Sequence, residues 1–200
     1  MTGSFLFALG SFPPYSQNID PGTVGLTFVV GSVVFTAAAY GAFVQVISDD
    51  DSVPVRYWAW QPSSTAWWSA AVQLVGTVLF NINTIDAMID GLSTEQTNRL
   101  VWAPDFFGSV CFLAASHLVW LVVFGRLWCV QRDDADWWGA VLNYVGSIPF
   151  MFAAVAAITL PTTGEELNTT IVNSGTFAGA TCLFAGAYLL VPPANGRPNS

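Results

Sequence analysis

Trp67-Trp68-Ser69-Ala70-Ala71-Val72-Gln73-Leu74-Val75-Gly76-Thr77-Val78-Leu79-Phe80 returns 70 residues later as Trp137-Trp138-Gly139-Ala140-Val141-Leu142-Asn143-Tyr144-Val145-Gly146-Ser147-Ile148-Pro149-Phe150. The match extends upstream, where Arg56, Trp58 and Gln61 recur as Arg126, Trp128 and Gln131. Three of the nine identical pairs are Trp, a rare residue, so the match is an internal repeat and not coincidence. Each tryptophan pair opens an apolar run of about 20 residues, the length of a membrane span. The copied unit therefore reads as a membrane-embedded helical hairpin.

Composition agrees with that reading. Hydrophobic residues make up 54% of the 200-residue chain and charged residues 9%, with a mean hydropathy of +0.55. That is too little polar material to cover a soluble domain of this size. Six apolar runs stand out, at 4–19, 23–47, 67–89, 104–128, 137–160 and 171–191. The first is interrupted by Pro13-Pro14 and lacks a basic n-region and a small-x-small cleavage site, so it is expected as a retained, short, kinked helix.

Charge narrows the chemistry. The chain has no lysine, which excludes Schiff-base chemistry on retinal or pyridoxal cofactors. Thirteen acids against five arginines leave a net charge of -8, concentrated in runs such as Asp49-Asp50-Asp51 and Asp133-Asp134-Ala135-Asp136. No basic patch for nucleic acid is present. Cys111, Cys129 and Cys182 lack metal-ligand spacing and read as reduced core residues, with neither zinc nor disulfide.

The second helices carry a signature of their own. Gly31-Ser32-Val33-Val34-Phe35 aligns with Gly108-Ser109-Val110-Cys111-Phe112 and with Gly179-Ala180-Thr181-Cys182-Leu183. Nine residues beyond each glycine stand Tyr40, His117 and Tyr188. The first helices align through Gly10-Ser11, Gly76-Thr77 and Gly146-Ser147. Small residues at such positions let membrane helices pack closely. The expected fold is all-α, an integral membrane bundle of six transmembrane helices built from three tandem hairpins. These cover 1–47, 67–128 and 137–191, with linkers at 48–66 and 129–136 and a polar tail at 192–200.

Six spans would place both termini on one side, together with Arg56, Arg126, Arg132 and Arg197, and leave Arg99 opposite. The excess of arginine assigns that side to the cytoplasm. Trp58, Trp60, Trp67, Trp68, Trp128, Trp137 and Trp138 then form an interfacial aromatic belt, and the sequon Asn168-Thr169-Thr170 falls outside.

The G-[ST]-x-x-F helix followed by a glycine-led helix resembles the YrhK-like membrane domain, a two-helix module found singly or in tandem in prokaryotic membrane proteins. The resemblance covers nearly the whole chain, with the first copy departing most. It implies a membrane hairpin fold and carries over no activity or catalytic residue.

Polar groups inside spans are the places to look for function. Asn83, Asp86 and Asp90 are spaced to share one helical face, an arrangement able to hold a cation or relay a proton. Gln73 and His117 lie at nearly equal depth, as do Asn143 and Tyr188, and each pair is expected to form an interhelical hydrogen bond. No nucleophile elbow, zinc-protease motif, P-loop, dinucleotide fingerprint or C-x-x-C is present, so neither enzyme activity nor a cofactor is expected. Two functions fit: a structural or partner-binding module, whose partners are the lipid bilayer and another membrane protein or a second copy, and a small-solute or ion channel.

Overall fold

The computed structural model describes residues 1–48, 54–124 and 135–190. Arg126, Trp128, Cys129, Gln131, Arg132, both acidic runs except Ala135 and Asp136, and the tail at 192–200 lie outside the described residues. The described chain is helical: α1 (Thr2–Ser11), α2 (Pro13–Ser16), α3 (Pro21–Ile47), α4 (Thr65–Asp86), α5 (Thr94–Gln96), a π-helical segment (Thr97–Trp102), α6 (Ala103–Phe124), α7 (Ala135–Ala156) and α8 (Thr169–Leu189).

Helix starts are set by local chemistry. Asp20 accepts from the Thr23 amide at 3.1 Å with Pro21 in the first turn, and Ser64 accepts from the Trp67 amide at 3.2 Å. Ser93 and Gln96 form a reciprocal capping box, and the sequon residue Asn168 accepts from the Ile171 amide at 3.0 Å. Each supplies an acceptor to amides that the first turn leaves unpaired. The π-helical segment also has a local cause. Pro104 has no N–H to offer the carbonyl four residues back, and the Ala103 amide bonds Asn98, five back.

Four stretches are long and apolar enough to cross a membrane: Pro21–Ile47, Thr65–Asp86, Thr94–Val123 and Ala135–Ala156. The six expected spans are therefore not all of one kind. With ten residues α1 is roughly 15 Å long, half a hydrocarbon core, because the backbone turns extended at Phe12 ahead of Pro13-Pro14. Helix α8 has 21 residues, but Thr, Ser, Gly and Asn dilute its apolar content.

The helices close a ring. Helix α1 packs on α3, α3 on α4, α4 on α6, α6 on α7 and α7 on α8, and α8 returns to α1. Within the hairpins, glycines bring the backbones together. A Cβ on Gly76 would stand 3.1 Å from the Gly108 carbonyl oxygen, and one on Gly146 would stand 3.0 Å from that of Gly179. In the first hairpin the equivalent approach is made by Gly3, whose Cβ would lie 3.0 Å from the Gly31 carbonyl oxygen.

That position corrects the alignment through Gly10, which instead meets the ring of Phe28. Gly3-Ser4-Phe5-Leu6-Phe7 has the same spacing as Gly76-Thr77-Val78-Leu79-Phe80. Gly3 and Gly10 are seven residues apart, nearly two full turns, so they share a helix face and only packing selects between them.

Short polar contacts join neighbouring hairpins. Ser32 and Thr84 hydroxyls meet at 2.9 Å, Asn81 Nδ2 donates to Thr36 Oγ1 at 2.8 Å, and Ser116 and Ser147 hydroxyls meet at 2.7 Å. Such bonds between membrane helices are worth about 0.6 kcal/mol each, and serine and threonine cost little space at a close crossing. Phe5 on Phe184 and Phe12 on Phe177 close α1 against α8. Trp58 and Trp60 are exposed, whereas Trp67 and Trp137 are buried, and Trp67 Nε1 donates to the Ala59 carbonyl at 2.9 Å.

Candidate functional site

Four residues after Gly3, Gly76 and Gly146 come Phe7, Phe80 and Phe150, all buried. Phe80 lies with its ring centroid 6.3 Å from Phe7 and 6.4 Å from Phe150, so three first helices send one phenylalanine each to the centre of the ring. Four residues after Gly31, Gly108 and Gly179 come Phe35, Phe112 and Leu183, which pack against them as a second layer. The two layers divide the interior into two cavities, each lined by all six helices of the ring.

The distal cavity, of about 280 Å³, lies at the end where each hairpin turns from its first helix to its second. Phe7, Phe80 and Phe150 make its floor. Its wall carries Asp105 of α6, Asn83 of α4, Asn173 and Thr176 of α8, and Thr159 and Glu166 of the α7–α8 connection. Thr97, Thr159 and Glu166 also line a second, outer cleft that holds Glu165, so an acidic mouth leads toward the acidic interior. Among the described residues no arginine or histidine lines either space.

The positions are built by the chain around them. Asn98, in the π-helical segment, grips the Thr159 backbone on both sides: its Nδ2 donates to the carbonyl and its Oδ1 accepts from the amide, each at 2.8 Å. Trp102 Nε1 donates to the Ala154 carbonyl at 2.9 Å. Thr159 in turn bridges antiparallel to Glu166, across a turn eased by Gly164 at φ 73°. The chain therefore holds Glu166 at the cavity by way of Asn98. Burial pushes the Glu166 carboxyl above the ordinary glutamate range, and a hydrogen bond with Thr169 opposes that shift. Asn98→Ala should lower stability by about 2 kcal/mol, by leaving two backbone groups of buried Thr159 unpaired. A thermal melt in detergent checks this, and a melting temperature unchanged within error contradicts it.

The proximal cavity, of about 470 Å³, is wide because Gly3, Ala38, Ala39, Ala140 and Gly186 line it. Gln73 and Asn143, each three residues before its hairpin's first-helix glycine, supply amides to its wall, and Asp136 lies at its end.

The structure redistributes the residues singled out from sequence. Asn83 lines the distal cavity and donates from Nδ2 to the Val101 carbonyl at 2.9 Å. Asp86 ends α4, and the chain then turns through Gly91 at φ 74°, so Asp90 lies beyond the helix and does not share its face. Neither aspartate lines the cavity. The pairings of Gln73 with His117 and of Asn143 with Tyr188 are not made. His117 is exposed, with its ring 6.0 Å from Tyr144, and Tyr188 is 64% exposed, while both amides face the proximal cavity. The reason is azimuth, which depth along the helix does not report. Nine residues at about 100° each place Tyr40, His117 and Tyr188 half a turn away from glycines that face the partner helix.

Polar spacing along single helices does not point to Asp105 or Glu166. A signal for Asp105 lies in the glycine register: three residues before Gly31, Gly108 and Gly179 stand Phe28, Asp105 and Thr176, which all line the distal cavity. Glu166 carries no such signal, because a hairpin loop of irregular backbone holds it. Among the described residues no group of three or more His, Cys, Asp or Glu is arranged to hold a metal ion, and Cys111 and Cys182 are free thiols.

No protein-family model matches the chain, and no curated protein or solved structure is significantly similar to it.

Proposed function

We propose that this chain is a protein of the cell membrane in which three YrhK-like hairpins, the first with the half-length helix α1, surround an axial path for small cations. One observation carries the reading. Side chains from all three hairpins converge on the ring axis in two cavities, and the distal one holds Asp105 and Glu166 with no basic residue among its described lining. Low-dielectric walls lined by one sign of charge concentrate the opposite ion. The phenylalanine layers shut the path in this conformation. Helices α1 and α8 complete the ring by packing on each other and on their neighbours α3 and α7. The arrangement supports transport without a chemical step.

Reconstituted vesicles test this. Wild-type protein should carry monovalent cation flux above that of protein-free liposomes, and Asp105→Asn should cut it about tenfold, the effect of losing roughly 1.4 kcal/mol of charge stabilisation in the path. Asp86→Ala and His117→Tyr should leave it unchanged, since neither residue lines the distal or the proximal cavity. A structural or partner-binding module, the competing expectation, gives no flux in any of these proteins. Flux that falls with Asp86→Ala and not with Asp105→Asn would overturn the placement of the site.

A further inference from the structure

We infer that the distal cavity binds small organic ammonium ions, such as methylated or short-chain alkyl amines. The inference rests on the reading of the axis as a cation path and names its cargo. Its basis is the pairing of two lining chemistries. Phe7, Phe28, Phe80, Phe150 and Trp102 present aromatic surface to the same space that Asp105 and Glu166 enter.

The two chemistries together discriminate between cations. A bare inorganic ion needs a shell of oxygen ligands to replace its water, six or more for calcium and magnesium. The described residues offer no group of three or more His, Cys, Asp or Glu; beyond Asp105 and Glu166 the oxygens on the cavity wall belong to neutral hydroxyls and amides, and most of the cavity surface is carbon. An ammonium centre with alkyl substituents spreads its charge over weakly hydrated groups. Aromatic faces within about 6 Å attract such a centre through their quadrupoles, and one carboxylate completes its neutralisation.

Asp105 is placed for the second role. It projects from α6 at the glycine-register position that Phe28 and Thr176 occupy in the other hairpins, and among the described residues no hydrogen bond or ion pair engages it. Asn83 donates one of its two amide N–H groups to the Val101 carbonyl, and its own side-chain oxygen can accept from an N–H of a primary amine. The cavity is near the small end of the range for ligand sites, roughly 300 to 1,000 Å³, so compact amines fit and drug-sized cations do not. Glu166, shared between cavity and outer cleft, stands at the mouth and draws the cation in.

Isothermal titration of the full chain in lipid nanodiscs with tetramethylammonium and n-butylammonium tests the inference, with sodium and potassium chloride at equal ionic strength as controls. Saturable binding of both amines is expected, at least tenfold tighter than either inorganic ion. Asp105→Asn should weaken it about tenfold or more, and Phe28→Leu, which keeps apolar volume but removes a π face, about threefold. Glu166→Gln serves as a second carboxylate variant if Asp105→Asn proves polydisperse on size exclusion. Amine heats that do not saturate, or that are unchanged in the carboxylate and Phe28→Leu variants, overturn the inference. So does competition by sodium at equal concentration. Cation flux in vesicles without amine binding removes the inference and keeps the path, whereas amine binding without any flux keeps the pocket and removes the path.

Discussion

Gly179→Leu should yield no monodisperse protein, and Gly146→Leu should behave alike, whereas Gly41→Leu should be recovered at wild-type level. A side chain on Gly179 would collide with the Phe150 ring, and its Cβ would lie 2.8 Å from the Gly146 carbonyl oxygen. A Cβ on Gly146 would lie 2.8 Å from that of Cys182 and 3.0 Å from the Gly179 carbonyl oxygen. Carbonyls of a packed helix cannot step aside without moving the helix. The overpacking cost is about 3 kcal/mol or more, a large share of the stability of a domain this size. A Cβ on Gly41 would meet nothing within 4 Å, so that variant is the control for composition. Fluorescence-detected size exclusion reads the result. Normal yield and a sharp peak for Gly179→Leu would mean that α7 and α8 do not cross where the structure puts them.

Removing the barrier should have the opposite effect on function. The double variant Phe80→Ala, Phe150→Ala takes two of the three rings from the layer that floors the distal cavity and leaves the layer of Phe35, Phe112 and Leu183 as the remaining partition. Water then has access to both sides of a thinner apolar layer. Cation flux in vesicles should rise at least tenfold over wild type, since about 1.4 kcal/mol off the barrier suffices for that and two buried rings contribute more. Each truncation also opens a void in the core, at about 3 to 5 kcal/mol for a buried Phe, so the comparison is made on protein passing the size-exclusion check. Flux equal to wild type in folded double variant would place the barrier elsewhere. Flux lost in the double variant would argue that the layer is not a barrier at all.

Much of the helical content is legible in the sequence. The Trp67-Trp68 and Trp137-Trp138 repeat marks the starts of α4 and α7 to within two residues, and the apolar runs at 23–47 and 171–191 coincide with α3 and α8 to within two at each end. Length and apolar content are properties of contiguous residues, and membrane insertion responds to them directly. The glycines on the second helices are also readable, because a residue without a side chain at a repeated position has few uses other than close approach. Pro13-Pro14 marks the first helix as short, and α1 ends at Ser11; a single kinked span over 4–19 does not follow, because Phe12 is extended and the prolines open a separate four-residue helix.

The site is legible only in part. Asn83 faces the distal cavity and Gln73 and Asn143 face the proximal one, as polar residues in apolar helices should when buried in protein. Asp86, Asp90, His117 and Tyr188 do not, and each departs for a geometric reason: a helix that ends early, or a half-turn of azimuth. By itself the sequence determined which segments are helical and which positions of the second helices must stay small, since these follow from local composition and from spacing along one chain. Which of two glycines seven residues apart meets its partner, which face of each helix turns to the axis, and that Asp105 and Glu166 share a cavity were decided only by closure of the ring. Those facts depend on the rotation of each helix against its two neighbours, and that rotation is set by the summed fit of side chains from segments more than 60 residues apart, such as Asn98 and Thr159.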